Sequence, residues 1–457
     1  MKLEEEFFLS LKQHNKRKLE KIFKENLTID LAEIVNNYDN KQDLIFIFQN
    51  IDPHLSSYFF VKLNEKTQEI LIKLLDDKEI NKIINYIYSD DIINILKKLP
   101  VSLHKKILIN CSKEKYNIIR KLLNYKENSA ASLITTEYVE LFEDMTVNEA
   151  LNVIRQIGKN AITIYTIFLK DKNNDISGIC GLNKIIFAEN NEKLISIKES
   201  NFIYVNKDTD QEEVAKKIKK YNLNVIPVIN NKKLIGIITV DDIIDIIEKE
   251  TNEDIELQAG IIPLKDNFYD INSFKMAINY SPWLIILIIA SIFSSMLLSI
   301  YEEKLKNFIF LAAFIPVILD TCGNSGGQTC SVIIRSLAID NTLINKKNFL
   351  FFFLKEIKTS FFTALIVSFA SFFIFFAEIK FGLINNNGFN SGLISLIVSI
   401  SLFVSLFFSK ILGFIMPILS KKIGKDPALM SEPMVTTISD FLGILFFFKI
   451  TSLFLNF

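Results

Sequence analysis

Hydrophobic positions follow three different rhythms along this chain. From Leu3 to about Asn128 apolar residues recur at helical spacing in short runs with repeated starts. Asp52-Pro53 offers a cap followed by a proline suited to a first helical turn, and Ser89-Asp90-Asp91 precedes Ile92-Ile93-Asn94-Ile95-Leu96. Glycine is scarce and strand-like alternation is absent, which predicts a compact all-helical domain over residues 1–128. Between Ser129 and Glu250 short apolar strands run into helices. From residue 276 onward five apolar stretches are each long enough to cross about 30 Å of hydrocarbon: Pro282 to Tyr301, Phe308 to Leu337, Phe349 to Phe376, Leu393 to Ser420 and Thr436 to Asn456.

The middle rhythm is a duplication. Gly178-Ile-Cys-Gly-Leu-Asn-Lys-Ile-Ile186 matches Gly236-Ile-Ile-Thr-Val-Asp-Asp-Ile-Ile244 at an offset of 58 residues, and Thr146-Val-Asn-Glu-Ala150 is echoed by Thr209-Asp-Gln-Glu-Glu-Val-Ala215. Each unit is a strand entering a helix, and two such copies must bury their faces on each other. Residues 129–250 therefore resemble a tandem CBS pair, a ligand-sensing module.

Charge separates the halves. Residues 271–457 carry 14 Lys/Arg and 9 Asp/Glu, against 38 and 43 in residues 1–270, so a net charge of zero hides an acidic solvated half and a basic-edged apolar half. No basic stripe with interleaved aromatics argues for nucleic acid as a partner. Met1-Lys-Leu-Glu-Glu-Glu-Phe-Phe has no signal-peptide core. Basic residues crowd the second-to-third connection (Arg335, Lys346, Lys347, Lys355, Lys358) and the fourth-to-fifth (Lys421, Lys422, Lys425). With those loops inside an inner or plasma membrane, the N-terminal domains are expected in the cytoplasm and the C-terminus outside. Cys111, Cys180, Cys322 and Cys330 lack metal-ligand spacing and read as small apolar residues.

Ionisable groups at bilayer depth are costly and mark pathways. Asp440 stands near the start of the fifth span, where Thr436, Asp440 and Gly443 at i, i+4 and i+7 put a hydroxyl, a carboxylate and bare backbone on one helix face. Asp320 precedes Thr321-Cys-Gly-Asn-Ser-Gly-Gly327, a glycine-rich stretch expected to break its helix and open backbone carbonyls to a cavity. Asn324 would orient water or brace that break. Asp426-Pro427 reads equally as a cap and as an ion contact at the cytoplasmic mouth. All three histidines, His14, His54 and His104, lie in the N-terminal domain. Oxygen-only groups in the membrane half suit hard cations such as magnesium or calcium. The helix after the second repeat carries Asp242, Asp245, Glu250, Glu253 and Asp254. By itself that is a solvated face, but its place before the first span points to a gate operated by a divalent ion. No nucleophile, base or phosphate loop nominates a catalytic residue, so an enzyme is disfavoured.

Taken in order, these stretches resemble the MgtE magnesium channels. The resemblance rests on Asn128-Ser-Ala-Ala-Ser-Leu-Ile-Thr-Thr-Glu-Tyr138, Asp208 to Ala215, Gly236 to Asp242, Gly323-Asn-Ser-Gly326 with Gln328, and Asp426-Pro-Ala-Leu-Met-Ser431 through Thr436-Thr-Ile-Ser-Asp440. It implies a multidomain homodimer: an all-α N-terminal domain (1–128), an α/β tandem CBS pair (129–250), a connecting plug helix (251–275) and a five-helix transmembrane domain per subunit (276–457). The pore would lie on the dimer axis. It further implies that Asp440 holds hydrated magnesium, with Asn324 and Asp426 at pore and mouth positions. Asp90, Glu212, Asp242, Asp245, Glu250, Glu253 and Asp254 would bind regulatory magnesium. An adenine nucleotide is the candidate ligand of the CBS cleft. Asn94 and Asn222 replace expected sensor carboxylates, and Asp320 stands where some members have glycine, which would add a second ring of charge. The expectation is a magnesium-selective passive channel closed by cytosolic magnesium. The alternative is a proton- or sodium-coupled transporter of divalent cations using Asp440 or Asp320.

Overall fold

The structure is a computed structural model that describes residues 2–36, 38, 40–264, 271–339, 346–385, 387–429 and 432–455. Met1, Met430, Ser431 and Asn456, named above, lie outside these residues, as do the side chains of Lys346 and Lys347. The chain forms two compact units, Met1–Glu248 and Lys249–Phe457.

Among its described residues the first unit opens with ten α-helices, from α1 (Lys2–Lys12) to α10 (Lys113–Leu122). Local chemistry sets their ends. Asp52 caps α5 (Pro53–Lys62) by accepting from the amides of His54 and Leu55, with Pro53 in the first turn as expected. In α8 (Ser89–Lys98) the expected cap is not used. Ser89 is the first helical residue, and its hydroxyl donates instead to Glu137 at 2.7 Å.

Two three-stranded sheets follow, each with a parallel then an antiparallel pairing. The first joins β1 (Tyr138–Phe142), β2 (Thr163–Lys170) and β3 (Ile176–Gly181), and the second joins β4 (Val205–Asn206), β5 (Val225–Asn230) and β6 (Lys233–Thr239). The duplication is therefore structural: β3 enters α12 (Leu182–Phe187) as β6 enters α15 (Val240–Gln258). Phe168, Val225 and Ile237 are buried together between the copies, and the core of the second copy is continuous with that of the helical domain. Asn222 ends α14 (Gln211–Tyr221) in the left-handed conformation at φ 52°. Asparagine tolerates that conformation, which gives this residue a backbone role where a carboxylate was expected.

Among the described residues of the second unit, five helices are long and apolar enough to cross a membrane. They are α16 (Ser273–Ile300), α18 (Ile315–Ile339) preceded by a 3₁₀ turn (Ile309–Phe314), α19 (Lys346–Lys380), α20 (Ser391–Lys422) and α21 (Glu432–Leu455), with the short α17 (Glu302–Asn307) between the first two. The first span starts before Pro282, which sits inside α16. Residues 251–275 hold the end of α15, a turn at Gly260 (φ 73°) and the first residues of α16. Phe314, Ile394, Val398 and Phe448 are fully enclosed or nearly so in an apolar cluster among the spans, while Ser395, Ser401, Ser409 and Lys410 of α20 are buried as well.

Candidate functional site

Two helices of the second unit each present a ladder of oxygen-bearing side chains. On α18, Asp320, Asn324 and Gln328 follow at i, i+4 and i+8 and are exposed, while Cys322, Ser325 and Thr329 on the other faces are buried. On α21 the ladder is Glu432, Thr436 and Asp440 at the same spacing. The helices run antiparallel: Gly327 meets Glu432, Gly323 meets Thr436, and Leu319 meets Gly443. This register brings Asp320 close enough for its charge to act on the Asp440 carboxylate.

Glycine sets the closeness of that contact. A Cβ on Gly323 would stand 2.6 Å from Thr436 Cγ2, one on Gly327 would stand 2.6 Å from Glu432 Cγ, and one on Gly326 would stand 2.6 Å from Ser409 Oγ and 2.9 Å from Val435 Cγ1. The expected helix break does not occur: α18 is continuous from Ile315 to Ile339. Glycine lowers helix propensity by about 1 kcal/mol per residue, but an opened backbone among apolar helices loses hydrogen bonds worth more. The stretch admits a neighbouring helix instead of exposing carbonyls. Ser409 of α20 braces it from behind, donating to the Cys322 carbonyl at 2.6 Å and lying 2.8 Å from Ser439 Oγ.

One further expectation changes: Gly443 does not offer bare backbone beside Thr436 and Asp440, and is buried against Leu319 and Ile318. Asp426 takes one of its two expected roles, a cap followed by proline, on a short 3₁₀ turn. Its Oδ1 accepts from the Ala428 amide at 2.8 Å and so closes that turn, Pro427–Leu429. Glu432 was missed by the sequence reading, although its place eight residues before Asp440 puts it on the same face. It lines an open groove of about 420 Å³ with Gln258, Ala259, Leu287, Pro433, Thr436 and Thr437. The end of α15 thus lies at this end of the ladder, and Leu257 packs there with Cys330, Ala428 and Val435.

The first unit holds a separate acidic cluster where the helical domain meets the CBS pair. Asp90 is 7% exposed and its Oδ1 has no hydrogen-bond partner. Burial pushes its carboxyl well above the usual range, and the charges of Asp242, Asp91 and Glu137 push the same way. Burial and then Asp242 raise Asp91 to about 6. Asp242 is raised too, chiefly by burial, although Thr239 Oγ1 donates to its Oδ2 at 2.5 Å. Asp241 and then Asp245 add to the negative field on Asp242. Glu137, a second residue missed from sequence, accepts from Ser89 and from Thr135 at 2.7 Å and so ties α8 to the CBS pair.

Glu212 does not join this cluster; it pairs with Lys216 at 3.1 Å within α14. Glu250, Glu253 and Asp254 continue along α15 beyond the first unit. Among the described residues no three His, Cys, Asp or Glu side chains converge closely enough to enclose a metal ion by themselves. Direct ligation by several carboxylates is therefore not built into the described part of one chain.

Known proteins share this organisation. A family model described as a divalent cation transporter matches residues 315–450, one for the MgtE intracellular N domain matches 28–128, and a CBS domain model matches 195–249. The magnesium transporter MgtE of Thermus thermophilus is 32% identical over 340 residues, which is 74% of this chain and 72% of that protein. The chain belongs to the MgtE family. The MgtE of Bacillus subtilis, 28% identical, aligns over 91% of this chain and 92% of its own length. Among solved structures, the soluble part of a magnesium transporter superposes with a TM-score of 0.51 at 26% identity, covering 54% of this chain and 99% of that one. The cytosolic domain of the Mg²⁺ channel MgtE in complex with ATP gives 0.50 at 26% identity over 53% of this chain and 99% of its own. MgtE membership accounts for both the helical domain with its CBS pair and the five apolar helices.

Proposed function

We propose that this protein is a magnesium-selective passive channel whose ion path runs between the ladders of α18 and α21. The observation that carries this reading is the pairing of Asp320, Asn324 and Gln328 with Glu432, Thr436 and Asp440 across a glycine-lined helix contact. Such groups recognise a hydrated ion through its water shell, which avoids the cost of stripping magnesium. The ladders are open on one side in a single chain, which favours a homodimer in which a second copy closes the path. Like its named relatives, the protein would act in transport and not as an enzyme. Its N-terminal domains would face the cytoplasm and its C-terminus the outside.

Gating follows from the acidic cluster. Cytosolic magnesium would offset the repulsion among Asp90, Asp91 and Asp242 and hold the helical domain on the CBS pair, while Asp245, Glu250, Glu253 and Asp254 on α15 extend the same sensitivity toward the groove at Glu432. Glu212 remains a peripheral candidate because Lys216 already balances its charge. The ATP complex of the MgtE cytosolic domain supports an adenine nucleotide as the ligand of the CBS pair. The proximity of Asp320 and Asp440 favours one alternative, a transporter in which a proton competes with the cation at that pair. Patch-clamp recording of the reconstituted protein decides between them. A channel gives currents set by magnesium and voltage that fall as cytoplasmic magnesium rises, whereas a coupled transporter gives flux that follows the pH gradient.

A further inference from the structure

The membrane unit contains a charged relay that no part of the ion path uses. Lys410 of α20 is 7% exposed, and its Nζ donates to Thr329 Oγ1 of α18 at 2.9 Å. That hydroxyl donates in turn to Glu356 Oε1 of α19 at 3.4 Å, and Ser360 Oγ, one turn along α19, reaches the same oxygen at 3.4 Å. Thr329 and Ser360 are 5% and 0% exposed. An ammonium, a hydroxyl and a carboxylate from three spans therefore form one row inside the bundle. Intramembrane charges of this kind are rare unless paired, and they then mark a functional arrangement.

Its position relative to the ladders gives it meaning. Thr329 lies five residues after Asn324, about 140° around the helix, so Lys410 approaches α18 from the side away from the ion path. The same face of α20 holds the glycine stretch at both ends. Ser409 takes the Cys322 carbonyl, and Gly413 lies so close to Gly326 that a Cβ would stand 2.2 Å from its carbonyl oxygen. Small residues let the two helices touch, but they leave rotation about the helix axis weakly fixed. Directional bonds from the buried Lys410 ammonium through the Thr329 hydroxyl to the half-buried Glu356 carboxylate fix it.

We infer that Lys410 and Glu356, bridged by the Thr329 hydroxyl, are positioning residues for ion conduction that set the rotation of α18 and so the aim of Asn324 and Asp320. This rests on the reading of α18 and α21 as walls of the ion path. The relay does not touch the ion. Neutralising either charge should therefore act through geometry and in the same direction, whereas a direct field effect on the cation would give Lys410 and Glu356 opposite signs.

The test is a double-mutant cycle on the full-length protein in proteoliposomes, reading magnesium flux against magnesium concentration. Lys410→Met and Glu356→Gln should each lower maximal flux about tenfold at an unchanged half-saturating concentration, and the double variant should be no worse than the poorer single. Thr329→Val should match them, while Thr329→Ser, which keeps the hydroxyl, and Lys410→Arg, which keeps the charge, should retain at least about half of the flux. These two conservative variants keep the test decisive if a neutral variant fails to reach the membrane. Losses that multiply in the double variant, half-saturation shifts of opposite sign, or a Thr329→Ser defect equal to that of Thr329→Val would overturn the assignment. Asp440→Ala run in parallel separates the two levels of the argument. If it conducts normally, the ion path itself is misplaced; if it is inactive while Lys410→Met and Glu356→Gln are normal, only the relay is wrong.

Discussion

Gly323 and Thr436 meet closely in the contact between α18 and α21: a Cβ on Gly323 would stand 2.6 Å from Thr436 Cγ2 but 3.4 Å from Thr436 Cβ and Oγ1. The clash that a side chain would cause is thus with one methyl group. Thr436 sits between Glu432 and Asp440 on the ladder, so anything that moves it also moves the oxygen groups on either side.

Gly323→Ala should therefore destabilise the membrane unit by about 1–3 kcal/mol and reduce magnesium flux, because the overpacked contact can relax only by separating the two helices. Thr436→Ser removes the offending methyl and keeps the hydroxyl, so Gly323→Ala/Thr436→Ser should regain most of the thermal stability and flux. Thermal unfolding in detergent and flux in liposomes check both. A double variant no better than Gly323→Ala would show that the glycine serves backbone freedom and not close approach.

Asp440→Ala and Asp440→Asn should both strongly reduce magnesium flux without loss of membrane expression, since each removes the carboxylate charge that faces Asp320 at one end of the paired ladders. Asp320→Gly should leave a working protein with altered conductance or ion preference, because it removes one of two neighbouring carboxylates and keeps the other. Single-channel recording with magnesium and calcium distinguishes the variants. Normal magnesium conduction by both Asp440 variants would take that residue out of the path.

How much of this was legible in the sequence depended on the range of the interaction involved. The duplication at an offset of 58 residues was visible because a strand running into a helix is a local pattern, and β3–α12 and β6–α15 reproduce it. The continuity of α18 was not visible. Glycine's poor helix propensity is local, whereas Ser409, Val435 and Thr436, which hold the glycines in a helix, come from about 80 to 115 residues further along the chain. Glu356 was hidden between Lys355 and Lys358, which read as a basic membrane edge; only the fold turns it inward to Thr329. Asn222 looked like a lost sensor and proved to be a left-handed helix cap. Glu137 gave no signal, since nothing in a Thr-Thr-Glu triplet announces a partner 48 residues earlier.

Asp242→Asn/Asp245→Asn should weaken the inhibition of current by cytosolic magnesium, or shift it to higher concentration, while leaving ion preference unchanged. Both residues lie in the first unit, and selectivity is assigned to the ladders of the second. Recording with stepped cytoplasmic magnesium tests this. Limited proteolysis offers an independent readout, with magnesium protecting the stretch from Thr251 toward the first span in the parent protein and protecting it less in the variant. Inhibition and protection both unchanged would make this part of α15 a solvated face.

The acidic cluster also predicts how pH and magnesium substitute for one another. Asp90, Asp91 and Asp242 all have carboxyl groups raised above their ordinary values, Asp91 to about 6, chiefly by burial and further by neighbouring carboxylates: Asp242 acts on Asp90 and Asp91, and Asp241 and Asp245 act on Asp242. A raised carboxyl means that the folded state holds more protons than the unfolded state between the ordinary value near 3.8 and the raised one. Stability from this source is therefore present at low pH and is lost as pH rises through about 6. A divalent cation does at high pH what protons do at low pH. In full-length protein stripped of metal, the unfolding midpoint of the soluble unit should fall between pH 5 and pH 7.5, and magnesium should raise it at pH 7.5 by several degrees but only slightly at pH 5. Asp90→Asn removes the most deeply buried of the charges, so it should raise the metal-free midpoint at pH 7.5 and shrink the magnesium response there. A magnesium shift of equal size at both pH values, or an Asp90→Asn protein that responds as the parent does, would mean that the cation stabilises the protein somewhere other than at the junction of α8 with the CBS pair.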